Sequence, residues 1–183
     1  SANDAGSRKL TAPTGLSATV NSNTAQVTIS WSALGGATRY YVSRSTAVGG
    51  PYMDLPSYST GTSYNDTIAA PGVVYYYKVR SWSVYDGETT SGNAQGVRKL
   101  AAPINVSASD GTSASGITIS WQAVTGAASY QVYRSTMVNG TYNAVGGLTT
   151  STSFVDNDAG FSVSTNYFYK IRAHANGPYG YLS

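Results

Sequence analysis

The sequence contains no cysteine, one histidine and few charged residues, and each scarcity argues against a class of function. Without cysteine the chain has neither a disulfide nor a thiol nucleophile, so hydrophobic burial must stabilise its domains unaided. The only histidine, His174, takes the place of Trp82 when the two halves of the chain are aligned, which is a weak basis for acid–base catalysis. The eight acidic residues are scattered. We therefore expect a protein that is not an enzyme and that needs no cofactor.

Long apolar runs and a concentrated basic patch are also missing. No stretch of about eighteen apolar residues occurs, so we expect no membrane insertion. The formal net charge is only +3 and is spread over both halves of the chain. Proteins that bind nucleic acid usually concentrate their basic residues on one patch, so we do not expect a nucleic-acid partner.

Tyrosine and glycine are abundant, with 16 and 20 copies, and the chain repeats itself. Runs of Tyr, Thr, Val and Ser broken by Gly, Asn and Pro are typical of short strands and turns. The halves align at an offset of 90, which pairs Pro13 with Pro103, Trp31 with Trp121, Tyr40 with Tyr130, and Arg44 with Arg134. Each half shows seven strand-like runs, the pattern of an antiparallel β-sandwich.

The alternation within these runs assigns side chains to faces. Val27, Ile29 and Trp31 share one side of an early strand, and Ile117, Ile119 and Trp121 repeat them. In the penultimate strand three residues are predicted to point inward and their neighbours outward. The inward set is Tyr75, Tyr77 and Val79 in the first half, and Tyr167, Tyr169 and Ile171 in the second.

These residues resemble fibronectin type III domains. The resemblance rests on Leu-x-Ala-Pro at residues 10–13, the early tryptophan, the Tyr-x-Val of the third strand and the Tyr-x-Tyr-x-Val/Ile of the penultimate one. The run Val-Tyr-Arg-Ser-Thr at residues 132–136 is similar to the bacterial branch of that family. The resemblance implies two tandem seven-stranded antiparallel β-sandwiches, with Tyr75 and Tyr167 at the tyrosine-corner position. It also implies an extracellular or cell-surface location.

The sequence begins with a segment that matches the end of its first repeat. Residues 91–100 and residues 1–10 share the frame S-x-N-x-x-G-x-R-K-L, and each leads into x-A-P. The chain stops at Ser183, where the next copy of this decapeptide would begin. We therefore expect a strand-like segment at 1–10 that is a linker or donor strand, a domain at 11–100, and a second domain at 101–183 whose last strand comes from elsewhere.

An open sheet edge invites another strand, and one hypothesis follows from this. The head of one copy would complete the second domain of its neighbour, giving a head-to-tail extracellular fibre. The predicted donor residues are Ser1, Ala2, Asn3, Asp4, Ala5, Gly6, Ser7, Arg8, Lys9 and Leu10. The predicted acceptor edge consists of Tyr167, Phe168, Tyr169, Lys170, Ile171, Arg172 and Ala173. The donor has no large apolar side chain before Leu10, so such a joint needs additional contacts.

Two alternatives remain open at this point. The chain can be one period of a longer covalent array, in which neighbouring domains of the same protein are its partners. It can also be an accessory spacer or a carbohydrate-binding region of a secreted polysaccharide-degrading enzyme or adhesin, with polysaccharide as its partner. The predicted exposed binding face is Tyr41, Tyr76, Lys78, Arg80, Tyr133, Phe168, Lys170 and Arg172. Aromatic rings beside cations stack on sugars, but the same residues can simply pair across strands.

One short acidic run resembles part of a calcium loop. Asp156-Asn157-Asp158 lacks the glycine and the bidentate glutamate that such a loop needs. A turn held by side-chain-to-backbone hydrogen bonds is therefore the preferred interpretation.

Overall fold

The computed structural model describes residues 10–83, 89–110, 116–158, 165–177 and 183. The chain divides into two compact units, unit 1 (Ser1–Arg98) and unit 2 (Lys99–Ser183). Every regular element among the described residues is a strand, and the strands of each sheet run antiparallel. None of these residues forms a helix with the length and apolar character that a bilayer crossing requires.

Unit 1 contains eight strand segments arranged in two sheets. In chain order they are β1 (Ser17–Ala18), β2 (Val27–Ser30), β3 (Arg39–Ser45), β4 (Met53–Ser59), β5 (Ser63–Asp66), β6 (Val74–Trp82), β7 (Thr89–Thr90) and β8 (Ala94–Val97). One sheet has the order β1-β2-β5, and the other has the order β4-β3-β6-β7, with β8 also paired to β6. Since β7 and β8 follow the same edge, they are two segments of a seventh strand.

The core of unit 1 lies between these sheets and follows the predicted alternation. Val27 and Ile29 of β2 are fully buried, and so are Tyr77 and Val79 of β6. Trp31 also belongs to the core, and the centre of its ring lies 5.3 Å from that of another buried aromatic residue, Tyr40. Tyr75, predicted to point inward at the tyrosine corner, is half-buried, and its hydroxyl accepts a hydrogen bond from the Ala70 amide at 3.4 Å.

The seventh strand closes unit 1 because β8 touches both sheets. Along β6 it pairs Val97 with Val74 and Ala94 with Tyr77. On its other side the Val97 amide donates to the Thr19 carbonyl at 3.0 Å, and the Asn21 amide donates to the Val97 carbonyl at 2.8 Å. Val97 is consequently almost fully buried.

Unit 2 repeats this plan in its described residues. Its strands are β9 (Ser107–Ala108), β10 (Ile117–Ser120), β11 (Ser129–Ser135), β12 (Asn143–Thr149), β13 (Ser153–Asp156) and β14 (Phe168–His174). The sheet orders are β13-β10-β9 and β12-β11-β14. Ile119, Trp121, Tyr130 and Val132 form the buried positions that match the unit 1 core. In the described part of unit 2, no strand corresponds to β8.

Candidate functional site

In unit 1, the segment that carries the shared decapeptide frame shows how such a strand is held. Ser91 begins it with a paired contact to β6: its amide donates to the Val79 carbonyl at 2.8 Å, and its hydroxyl accepts from the Val79 amide at 2.9 Å. Ser91 is itself buried. The serine of the frame therefore satisfies both backbone groups of one β6 residue.

The glycine of the frame sits where no side chain fits. A Cβ atom on Gly96 would lie 2.6 Å from Val27 Cγ1, 2.9 Å from Tyr77 Cε2 and 3.0 Å from Ala18 Cβ. These distances are shorter than van der Waals contact, and the neighbouring atoms belong to a packed core that resists displacement. Gly92, four residues earlier, has open space at the same test position.

The arginine of the frame ties the end of the strand to loops of unit 1. Arg98 Nε donates to the Thr24 carbonyl at 2.6 Å, and Arg98 Nη1 donates to the carbonyls of Thr67 at 3.3 Å and Ala69 at 3.0 Å. A planar guanidinium donates in several directions from one rigid group, whereas a lysine ammonium is a point charge. Three residues of the frame thus have defined structural tasks.

The aligned edge of unit 2 is uncovered among the described residues. Tyr167 directly precedes β14, and the other predicted acceptor residues, Phe168 to Ala173, lie within it. β14 pairs with β11 on one side, and on its other side Ser183 contacts only the Ala173 end. There the Ser183 amide donates to the Ala173 carbonyl at 3.0 Å, and the Ser183 hydroxyl accepts from the Ala173 amide at 2.9 Å.

The side chains below this edge are more exposed than their counterparts in unit 1. Tyr169 and Ile171 are half-buried, whereas the aligned Tyr77 and Val79 are fully buried. Ile117 is half-buried where Val27 is fully buried. Beside this edge lies a groove of about 330 Å³, lined mainly by Tyr133, Tyr142, Lys170, Ile171, Arg172 and Ser183.

The predicted donor segment falls almost entirely outside the described residues. Only Leu10 belongs to the described part, and it is half-buried. Its Cδ2 atom lies 3.3 Å from the position that a Cβ on Gly36 would take. Donation by residues 1–10 therefore remains a prediction.

In unit 1 the predicted exposed face is occupied by its own cations. Tyr41, Tyr76, Lys78 and Arg80 are all half-buried. The Arg80 guanidinium lies 4.7 Å from the centre of the Tyr41 ring and forms a 2.5 Å ion pair with a carboxylate of β4, Asp54. Because intramolecular contacts already use these groups, the face is stiffened rather than open.

Sequence reasoning missed three members of this face: Arg39, Tyr58 and Trp82. The Arg39 guanidinium lies 3.9 Å from the centre of the Trp82 ring and 5.0 Å from that of Tyr58. The Tyr58 ring in turn meets the edge of Tyr41 at 6.0 Å. The pairing of β3 with β6 would have identified them, because it places Arg39 opposite Trp82.

In unit 2 the corresponding face is built differently. The Lys170 ammonium lies 4.1 Å from the Tyr142 ring, which repeats the contact of Lys78 with Tyr52, but the Arg172 guanidinium lies 5.5 Å from the ring of Tyr133. Both cations are exposed, while Tyr133 and Phe168 are half-buried. The residues aligned with Arg39, Tyr41, Tyr58 and Trp82 are Ser129, Gln131, Leu148 and His174, so the ladder of unit 1 has no equivalent here.

A carboxylate in each unit organises a network around the penultimate strand. In unit 1, Asp66 Oδ2 accepts from Arg44 Nη1 at 2.7 Å and from the Tyr77 hydroxyl at 3.0 Å, and Oδ1 accepts from the Ile68 amide at 3.1 Å. Burial raises the pKa of Tyr77 far above its ordinary value, and the adjacent Asp66 raises it further. The side chain of Asp66 has no exposed surface, so this network is a buried structural link.

The equivalent network in unit 2 explains the acidic run at 156–158. Arg134 donates to Asp156 Oδ2 at 2.9 Å and to Asp158 Oδ2 at 2.7 Å, and the Tyr169 hydroxyl donates to Asp156 at 3.0 Å. The Asp158 amide also approaches Asp156 Oδ1 at 3.4 Å, as a side-chain-to-backbone turn requires. The described residues contain no group of three or more potential metal-ligating His, Cys, Asp or Glu side chains.

His174 lies at the end of β14, opposite Ser129 of β11. Burial lowers the pKa of His174 below its ordinary value, and the positive charge of Arg172 lowers it further. Its Nε2 atom is buried without a hydrogen-bond partner among the described residues. These surroundings favour a neutral imidazole packed against the strand.

Comparison with known proteins shows which proteins this chain resembles. No protein-family profile matches the chain. Exoglucanase B of Cellulomonas fimi is 33% identical over 180 residues, which cover 89% of this chain and 15% of that protein. The poly(3-hydroxybutyrate) depolymerase of Delftia acidovorans is 45% identical over 86 residues, which cover 46% of this chain and 16% of that protein. The chain therefore spans only a small part of the curated relatives that it matches.

Two solved structures complete the comparison. A Fn3-like protein from Clostridium thermocellum is 42% identical, with a TM-score of 0.43, over 46% of this chain and 88% of that one. The two-domain fibronectin type III segment of chicken tenascin matches 93% of this chain and 94% of its own, with a TM-score of 0.64 and 19% identity, which is a likeness of fold. The chain belongs to the fibronectin type III family, as two tandem domains of the bacterial type.

Proposed function

We propose that the chain is a non-catalytic structural element of an extracellular fibre or surface array and that its copies join head to tail. Residues 1–10 of one copy supply the seventh strand of unit 2 in the next. The observation that carries this proposal is the edge of β14, which no strand of the described residues covers, whereas the aligned edge in unit 1 is covered by the segment that carries the sequence frame. Unpaired backbone groups along such an edge accept a further strand.

The shared frame supports the choice of donor. Ser1, Gly6 and Arg8 stand at the positions of Ser91, Gly96 and Arg98, which make the defining contacts of the strand in unit 1. The short run Arg8-Lys9-Leu10 would then link two copies as residues 98–100 link the two units. A head-to-tail contact that does not close on itself produces an open filament.

One substitution in the frame sets the expected strength of the joint. Ser7 stands where unit 1 has Val97, which is almost fully buried. A donor without this apolar side chain loses roughly 1.5–3 kcal/mol of burial relative to the internal strand. Backbone hydrogen bonds must therefore supply much of the affinity, and the joint should be reversible.

Deletion of residues 1–10 tests the proposal. The full chain should increase in mean mass with concentration and form filaments visible by electron microscopy, whereas residues 11–183 should stay monomeric. Ser7→Val is the matched variant, and it should shift assembly to lower concentration because it restores the apolar side chain. Equal assembly with and without residues 1–10 would exclude donation of this strand.

A second candidate is an accessory spacer in a secreted polymer-degrading protein. The observation that favours it is the 33% identity with exoglucanase B over most of this chain. In that arrangement the neighbouring domains of a longer chain are its partners, and polysaccharide is a possible ligand of the outward face. The cations stacked on Tyr41 and Tyr52 argue against sugar stacking in unit 1.

Affinity electrophoresis separates the two candidates. A carbohydrate-binding region should be retarded in a gel that contains its polysaccharide, and either Tyr76→Ala or Phe168→Ala should remove the retardation. We expect no retardation for the wild-type chain. Retardation that either substitution abolishes would favour the carbohydrate-binding alternative.

A further inference from the structure

We propose that Gly6 and Arg8 are the residues by which the acceptor edge of unit 2 recognises its strand. The edge would thus select a second copy of this chain rather than any extended peptide. This inference rests on the proposed function, since it concerns the same edge of β14. It assigns the selectivity to two positions of the donor and leaves the remaining positions to backbone pairing.

Unit 2 carries residues of similar type at the positions that exclude a side chain from the glycine position of unit 1. The residues aligned with Ala18, Val27 and Tyr77, which crowd Gly96, are Ala108, Ile117 and Tyr169. Isoleucine is larger than the valine that it replaces, so these side chains have at least the volume of their counterparts in unit 1. Ala108 is exposed, and Ile117 and Tyr169 are half-buried. A glycine is the residue that lets another backbone approach such side chains closely.

The arginine position provides the second contact. In unit 1 the Arg98 guanidinium reaches three carbonyl oxygens from a strand end that is otherwise half-buried. One of these carbonyls belongs to Thr67, and the aligned residue of unit 2 is Asn157, which is exposed. The other two aligned positions, 114 and 159, lie outside the described residues. Asp158, which forms an ion pair with Arg134, takes the place of Ile68 next to this position.

The glycine and arginine positions exclude donor sequences that backbone pairing along the edge would accept. Backbone hydrogen bonds accept almost any extended sequence, whereas side-chain sites determine which sequence is accepted. A bulky residue at the glycine position clashes with the side chains around it, and a residue without the guanidinium fork leaves the carbonyl contact unmade. Position 5 carries no such requirement, because Gln95, opposite Tyr76 in unit 1, is replaced by Ala5 in the donor.

Labelled decapeptides test this assignment on the full chain. A peptide with the sequence of residues 1–10 is titrated into dilute chain, and binding is followed by fluorescence anisotropy. Gly6→Val and Arg8→Lys peptides should each bind at least about tenfold more weakly, since each removes one specific contact. The Ala5→Val peptide is the matched control and should bind like the parent.

The same substitutions in the full chain provide a second measurement. Gly6→Val and Arg8→Lys should raise the concentration needed for assembly, and Ala5→Val should leave it unchanged. Equal binding by all four peptides would overturn the assignment to Gly6 and Arg8 while leaving strand donation intact. Failure of every peptide, together with assembly that is indifferent to residues 1–10, would overturn the proposed function as well.

Discussion

Unit 1 and unit 2 align along nearly their whole length, yet their penultimate strands have different surroundings. In unit 1 the seventh strand covers β6, and Tyr77 and Val79 are fully buried. In unit 2 the aligned Tyr169 and Ile171 are half-buried. The central core is the same in both, since Trp31 and Trp121 make the same close ring contact with a strand tyrosine. The two units thus share their centre and differ in burial along the penultimate strand.

The carboxylate network is also more deeply buried in unit 1 than in unit 2. Asp66 receives the Tyr77 hydroxyl in a fully buried site, whereas Asp156 receives that of the half-buried Tyr169. In addition, Arg134 of unit 2 has a second carboxylate, Asp158. Loss of the carboxylate should therefore destabilise unit 1 more than unit 2.

The largest difference between the units should come from removing these carboxylates. Asp66→Ala leaves the Arg44 guanidinium and the Tyr77 hydroxyl without their partner, which should cost unit 1 about 3–5 kcal/mol of unfolding free energy. Asp156→Ala should cost unit 2 less, because Arg134 keeps Asp158. Domain-resolved hydrogen exchange in denaturant measures both values, and equal losses would contradict the burial argument.

The next largest effect should come from Gly96→Val. Its side chain would overlap Val27 and Tyr77, and overpacking of this kind costs about 1–3 kcal/mol. Gly92→Val is the matched control on the same segment, where the test position is open. The melting temperature of unit 1 should fall for Gly96→Val and should stay unchanged for Gly92→Val. A normal melting temperature for Gly96→Val would show that β8 does not pack as described.

Alkaline pH should weaken unit 1 through Tyr77. Its folded pKa is raised above the ordinary value of 10.0, so the unfolded chain releases the phenolic proton first. Stability contributed by the protonated hydroxyl is present below about pH 10 and is lost above it, by at most about 1.4 kcal/mol per pH unit. Denaturant titrations of wild type and Tyr77→Phe measure this slope. An identical slope in the two proteins would contradict the assignment to Tyr77.

The smallest effect should come from the aromatic ladder on the outer face of unit 1. Arg39→Ala removes the cation stacked on Trp82 and Tyr58, which should cost about 0.5–1 kcal/mol because the site is partly exposed. Ser129→Ala is the aligned control in unit 2 and should have no measurable effect. A loss above roughly 2 kcal/mol would mean that the ladder is part of the core.

Much of the fold was predictable because it follows from alternation and repetition. The inward positions of Val27, Ile29 and Tyr77 come from a period of two residues along each strand. The link between Arg44 and Asp66 was not predictable, because it joins residues of different sheets through the packed core. The half-burial of Tyr41 and Lys78 was also missed, since it depends on which side chains stand beside them on neighbouring strands.

The sequence predicted an edge strand as the candidate site, and the structure adds the contacts that hold the equivalent strand in unit 1. The assignment of residues 167–173 as an acceptor edge remains a prediction. The importance of Gly96 and Arg98 could not be predicted, because the shared frame shows which residues recur but not what each one contacts. Their contacts with Val27 and with the carbonyls of Thr67 and Ala69 became visible only in the folded unit.

Amide hydrogen exchange at Tyr169 and Ile171 tests the central claim most directly. The Ala173 amide points to the side of β14 away from β11, where it donates to the Ser183 hydroxyl, and alternation along the strand directs the amides of Tyr169 and Ile171 to the same side. The account predicts that both amides exchange quickly in dilute chain, become protected as the concentration rises, and stay unprotected without residues 1–10. Exchange rates that depend neither on concentration nor on those residues would contradict it.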